Sequence, residues 1–63
     1  MHKFLIMLWY TKDGKHYHSS FEKTIFGPDV HWVARQYAEV NDNCLCKIFL
    51  GDRKIAEHGS HKQ

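Results

Sequence analysis

Apolar positions fall into three patterns along the chain. A continuous apolar and aromatic block runs from Phe4 to Tyr10, helical spacing occupies Pro28 to Asn41, and two shorter runs lie at Cys44 to Leu50 and Lys54 to His58. The block reads as a strand from His2 to Thr11, because Lys12, Asp13, Gly14 and Lys15 come at once after it and Asp-Gly is a strong signal for a two-residue hairpin turn. Gly51 and Asp52 give a second such turn between the two short runs. The expected fold class is α+β: a small antiparallel β-sheet in the order ββαββ, built of two hairpins, with one α-helix packed on one face.

In the helical segment, Val30, Val33, Ala34, Tyr37, Ala38 and Asn41 recur at i, i+3, i+4 and i+7, with Val40 at the margin of that face. Gly27, Pro28 and Asp29 form a start signal: proline is tolerated in the first turn, and the Asp29 carboxylate suits the positive end of the helix dipole. Asn41, Asp42 and Asn43 end it. Trp32 breaks the pattern. It lies roughly 200° around the helix from Val30, beside Gln36 and Glu39, so a large aromatic side chain points away from the core.

With Asp13 and Gly14 at the centre of the first turn, Tyr10 falls opposite Tyr17, Leu8 opposite Ser19 and Ile6 opposite Phe21, a set suited to the helix side. The other face then pairs Trp9 with His18, Met7 with Ser20 and Leu5 with Glu22. One helix cannot cover both faces, so Leu5, Met7 and Trp9 form a candidate surface for self-association of the free protein. In the second hairpin Ile48 falls opposite Ile55. Either Cys44, Cys46, Ile48 and Ile55 or the row of Leu45 and Phe49 faces the helix; the first is taken as inward.

Sixty-three residues are expected to form a single domain, residues 1–63, whose core alone supplies little net stability, with residues 59–63 a frayed polar tail. Nine Lys and Arg against seven Asp and Glu are interspersed, without the basic block of a nucleic-acid tail. The apolar start is too short to span a bilayer and lacks a signal-peptide cleavage site, which predicts a soluble cytoplasmic protein with no membrane partner. Cys44 and Cys46 are one residue apart on one strand, a poor geometry for a mutual disulfide, and read as reduced thiols.

Six histidines raise the question of a metal. His16 and His18 share a strand face, but Cys44-x-Cys46 lacks knuckle spacing and no histidine pair matches it, so neither metal nor cofactor is expected. His31 beside Asp29 and Glu39 beside Arg35 read as helix-surface neighbours rather than as catalytic groups, and a chain this small has little room for a cleft. No catalytic residue is assigned. Trp32 is the strongest functional candidate, since tryptophan is enriched at interface hot spots and its neighbours supply a polar rim.

The segment DVHWVARQYAEVN, Asp29 to Asn41, resembles the helix of the Dmd family of T-even phage antitoxins, and LCKIFLGDRKIAE resembles the segment after the helix in that family. Asp29, Val30, Trp32 and the run Gln36 to Asn41 are the specific part; the first half matches only in pattern. The chain departs from the family by one extra residue around Asp42 to Cys44 and another before the helix. The resemblance implies an antitoxin without catalytic activity, acting in the host cell cytoplasm. It would bind a host endoribonuclease toxin of the RNase LS type, RnlA-like or LsoA-like, occlude the active-site groove and so protect phage mRNA. Trp32 would be the anchor, with Asp29, His31, Gln36 and Glu39 as rim contacts. The alternative is a small RNA-binding module using exposed aromatics on the sheet, which a continuous basic stripe around Trp9 and Tyr10 would favour. A third reading is a structural protein that only assembles with itself.

Overall fold

Asp13 and Gly14 both adopt positive φ, 53° and 78°, as a two-residue turn matching the strand twist requires. They join β1 (His2–Lys12) to β2 (Lys15–Ile25). The pairing is the expected one, with Tyr10 opposite Tyr17, Leu8 opposite Ser19, Ile6 opposite Phe21, Met7 opposite Ser20 and Leu5 opposite Glu22. The computed structural model describes residues 2–62. Beyond the hairpin it places a 3-10 turn (Gly27–Asp29), α1 (Val30–Val40), β3 (Asp42–Leu50) and β4 (Arg53–Gly59). The four strands form one antiparallel sheet in the order β2-β1-β3-β4, which is the expected ββαββ architecture.

The helix is shorter at its start than Pro28 suggests. Pro28 and Asp29 lie in the 3-10 turn, where the Asp29 N–H donates to the Phe26 carbonyl at 2.8 Å, and α-helical geometry begins at Val30. At the other end the Asn41 side chain donates to the Tyr37 carbonyl at 2.9 Å, satisfying one of the carbonyls a helix end leaves open. The backbone then turns extended.

The core is a single layer between α1 and the sheet. Phe4, Ile6 and Leu8 from β1, Cys44, Cys46 and Ile48 from β3, Ile25, Val30, Ala34 and Ala56 are all buried, with Ile6, Cys46 and Ile48 wholly so. Each fully buried isoleucine side chain contributes about 1.5–3 kcal/mol relative to an exposed one.

Two irregularities adjust this layer. Ile48 pairs with Ala56 rather than with Ile55, because the register shifts between Ile48 and Phe49 and leaves Ile55 as the extra residue. The inward row is therefore Cys44, Cys46, Ile48 and Ala56, with Ile55 only half-buried: the turn at Gly51 and Asp52 is as expected, but a bulge three residues after it moves the alternation by one. Between β1 and β3, Trp9 pairs with Leu45 and Thr11 with Asp42. The additional β3 residue is accommodated with Asn43 at φ 50°.

The polar C-terminal segment is held as far as it is described. Gly59 ends β4, the Lys62 N–H donates to Asn43 Oδ1 at 3.0 Å, and Asn43 Nδ2 donates back to the Lys62 carbonyl at 2.6 Å. His61 Nε2 is 3.0 Å from His16 Nδ1. These bonds join the described part of the tail to the bulged residue of β3. No helix among the described residues is long and apolar enough to cross a membrane.

Candidate protein-binding site

The helix backbone lies closest to β3 and β4, so its other flank overhangs β2 without closing onto it. Phe21 on β2 meets Tyr37 edge to face at 5.7 Å. Outside that contact an almost wholly apolar groove of about 230 Å³ opens, lined by Lys23, Trp32, Val33, Gln36, Tyr37 and Val40. Trp32 is 61% exposed and Val40 73%. Both are costly to leave in water unless another surface covers them. Val40 also borders a second cleft of about 460 Å³, formed with Tyr10, Thr11, Lys12, Asp13, Asn41 and Asp42 at the hairpin end. The open flank therefore changes from apolar near Trp32 to polar beyond Val40.

Of the residues that sequence reasoning singles out around Trp32, the structure brings only Gln36 into the same groove. Glu39 lies on the outward crown of the helix in an ion pair with Arg35 at 3.0 Å, an exposed pair worth at most a few tenths of a kcal/mol. Asp29 occupies the N-cap position without a side-chain cap bond. His31 is on the opposite flank, 6.3 Å from the His58 ring of β4. Lys23, Val33, Tyr37 and Val40 line the groove, and sequence reasoning misses all four as site residues. Spacing alone assigns Val33 and Tyr37 to the buried face, yet both are only half-buried. A signal exists: the apolar arc from Trp32 through Val40, Val33, Tyr37, Val30 and Ala34 to Ala38 spans roughly 240°, about twice what one sheet face covers.

The face away from the helix carries the other candidate set. Leu5, Met7 and Trp9 are half-buried there beside Leu45 and Phe49. Trp9 is fixed by its neighbours: the His18 ring packs against it at 4.8 Å, tilted by 34°, and Lys47 Nζ lies 5.3 Å from its centroid. His18 Nδ1 also donates to the Leu8 carbonyl at 3.1 Å, which assigns the proton to that nitrogen.

Among the described residues no three His, Cys, Asp or Glu side chains gather as a metal site would require. Both cysteines are free and buried. Burial pushes the Cys46 thiol up to about 11, with a smaller contribution from Cys44, and raises Cys44 as well. Neither thiol is a nucleophile near neutral pH. Because the folded thiol ionises above the ordinary value of 9.0, its contribution to stability is complete below pH 9 and is lost as pH rises toward 11. Urea unfolding is therefore expected to show lower stability at pH 10.5 than at pH 8. Alkylation at pH 8 should be slow until the protein unfolds.

Compared with known proteins, residues 1–61 match the family model described as Dmd, discriminator of mRNA degradation. The chain belongs to the Dmd family. Antitoxin Dmd of Enterobacteria phage T4 is 39% identical over 57 residues, covering 87% of this chain and 85% of that protein. A solved Dmd-family structure is also similar. The fold matches a chain in the crystal structure of Escherichia coli toxin LsoA in complex with T4 phage antitoxin Dmd, with a TM-score of 0.76, 34% identity, and coverage of 97% of this chain and 100% of that chain. The match thus extends over the first hairpin as well as the helix and the second hairpin.

Proposed function

We propose that this protein is a phage antitoxin that binds a host endoribonuclease toxin of the LsoA or RnlA kind, occludes its active-site groove and so spares phage mRNA. It acts by occupancy, in the cytoplasm of the infected cell, and carries out no chemistry of its own. The observation that carries this reading is the likeness over 97% of the chain to a fold found in a toxin–antitoxin complex. The groove supplies the physical means. Trp32 stands out from a rigid helix beside an unfilled apolar depression, the arrangement of an interface anchor that needs little ordering on binding. Gln36 and Lys23 border it, with Asp29 and Glu39 as outer contacts; His31, on the other flank, is peripheral.

The RNA-binding alternative needs a basic stripe along Trp9 and Tyr10. These adjacent residues occupy opposite faces of β1, and the cation at Trp9, Lys47, stands in the strand register opposite Glu57, whose carboxylate bonds Lys54 at 2.7 Å. Nothing there favours a phosphate backbone over a protein surface.

The test is RNA cleavage by purified LsoA and, separately, by purified RnlA, with increasing amounts of this protein. Stoichiometric inhibition that weakens as RNA is raised is the expected result. Undiminished cleavage by both toxins with a saturating excess, or cleavage of RNA by this protein alone, would overturn the reading.

A further inference from the structure

We infer that the sheet face opposite the helix binds a second copy of this chain, with two sheets packed back to back about a two-fold axis along the seam between β1 and β3. The face is apolar at its centre, where Leu5, Met7, Trp9, Leu45 and Phe49 are half-buried. Of the described C-terminal residues, His61 and Lys62 bond at the far end of this face, to His16 and Asn43. What selects a second copy as the occupant is the order of residues across the strands. One row reads Glu22, Leu5, Phe49, Lys54 from β2 to β4, and another carries Trp9 beside Leu45.

A two-fold axis parallel to the strands exchanges β1 with β3 and β2 with β4 within each row. Leu5 then meets the partner's Phe49, Trp9 meets the partner's Leu45, and Glu22 at one edge meets the partner's Lys54 at the other. Every contact occurs twice, as an isologous interface demands. Met7 meets the stem of the partner's Lys47, whose ammonium can remain at the rim. Packed sheets lie about 10 Å apart and within about 30° of parallel, a geometry that the long Glu22 and Lys54 side chains can span.

The free row area is small. Four strands about 4.8 Å apart and three same-face rows give roughly 300–400 Å² of projected face on each copy. The buried total is then roughly 600–800 Å², below the about 1,000 Å² of a stable specific interface and in the weak, transient class, so dissociation in the range of about 100 μM or above is expected. Because Trp32 is on the other side of the molecule, this surface is independent of the toxin-binding proposal.

Sedimentation of the full chain up to about 1 mM is expected to show a reversible monomer–dimer equilibrium. Joint replacement Met7→Lys and Trp9→Lys should leave a folded monomer. The register is tested separately by Glu22→Lys and Lys54→Glu. Each alone should raise the dimer dissociation constant about 10-fold or more. Mixing the two single variants, or combining both changes in one chain, should restore dimerisation, because each altered residue again faces an opposite charge. These edge positions are exposed; Lys54 also bonds Glu57 of its own chain at 2.7 Å, a pair that Glu22→Lys leaves intact, so that variant keeps the test decisive if the lysine pair unfolds. A parent that stays monomeric, a dimer that survives the lysine pair, or charge exchange without recovery would overturn the proposal. So would a monomeric parent whose lysine pair loses toxin binding, since the face would then belong to the toxin.

Discussion

Replacing Trp32 with Ala is expected to weaken toxin binding at least about 30-fold, the effect of removing a hot-spot aromatic worth about 2 kcal/mol or more. The fold should survive, because a side chain that is 61% exposed leaves no core cavity when truncated. The unfolding temperature should stay within about 4 °C of the parent, as for other surface substitutions. Tyr37→Ala serves as the contrast. Its ring forms the groove floor and also meets Phe21 at 5.7 Å, so binding and stability should both fall. At the rim, Gln36→Ala should cost more affinity than His31→Ala, since only Gln36 lines the groove. Calorimetric titration against the toxin, run beside thermal unfolding, separates these outcomes. A Trp32→Ala protein that unfolds would place the side chain in the core and remove the basis for the anchor.

The largest stability loss from adding a single methyl group is expected at Gly59. Its φ of 81° belongs to the left-handed region, and a Cβ built there would run into the Cys44 carbonyl oxygen and approach the Ala38 Cβ at 3.0 Å. An L-residue at such φ costs roughly 1–2 kcal/mol before any clash is counted. Backbone and helix must also shift here, which takes the total to about 3 kcal/mol and lowers the unfolding temperature by more than about 10 °C in a domain of this size. Gly27→Ala is the control. Gly27 has ordinary φ and open space where a Cβ would stand, so that variant should unfold near the parent. Equal behaviour of the two variants would show that the close approach of β4, β3 and α1 at Gly59 is not rigid.

Local signals with fixed geometry are legible in the sequence. Asp13-Gly14 sets the register of β1 against β2 along its whole length, because a two-residue turn leaves no freedom once the alternation of faces is given. Trp32 is likewise legible as an outward residue, since its angle on the helix depends only on spacing. The features that escape a sequence reading depend on tertiary context. The bulge at Ile55 leaves no mark in the apolar pattern, as Ile55 and Ala56 are both suitable inward residues; the larger one is displaced and the smaller sits in the core. Val33 and Tyr37 have core spacing, yet they border a groove because the helix lies toward β3 and β4. The lateral position of a helix across a sheet is set by the sum of packing contacts rather than by its own periodicity. Lys23 cannot be joined to the site at all without knowing that β2 borders the helix's open flank.

Two tryptophans on opposite sides of the molecule mark the two candidate surfaces, and the toxin should cover only one of them. Fluorine NMR of the protein labelled with 5-fluorotryptophan gives one resonance for Trp9 and one for Trp32, assigned by replacing each with Phe. On addition of catalytically inactive toxin, the Trp32 resonance should shift and lose its solvent isotope effect, while Trp9, held between His18 and Lys47 on the other side of the sheet, keeps its free-state environment or that of its own dimer. A complex in which Trp9 becomes protected while Trp32 remains in solvent would contradict the assignment of the helix groove as the toxin-binding surface.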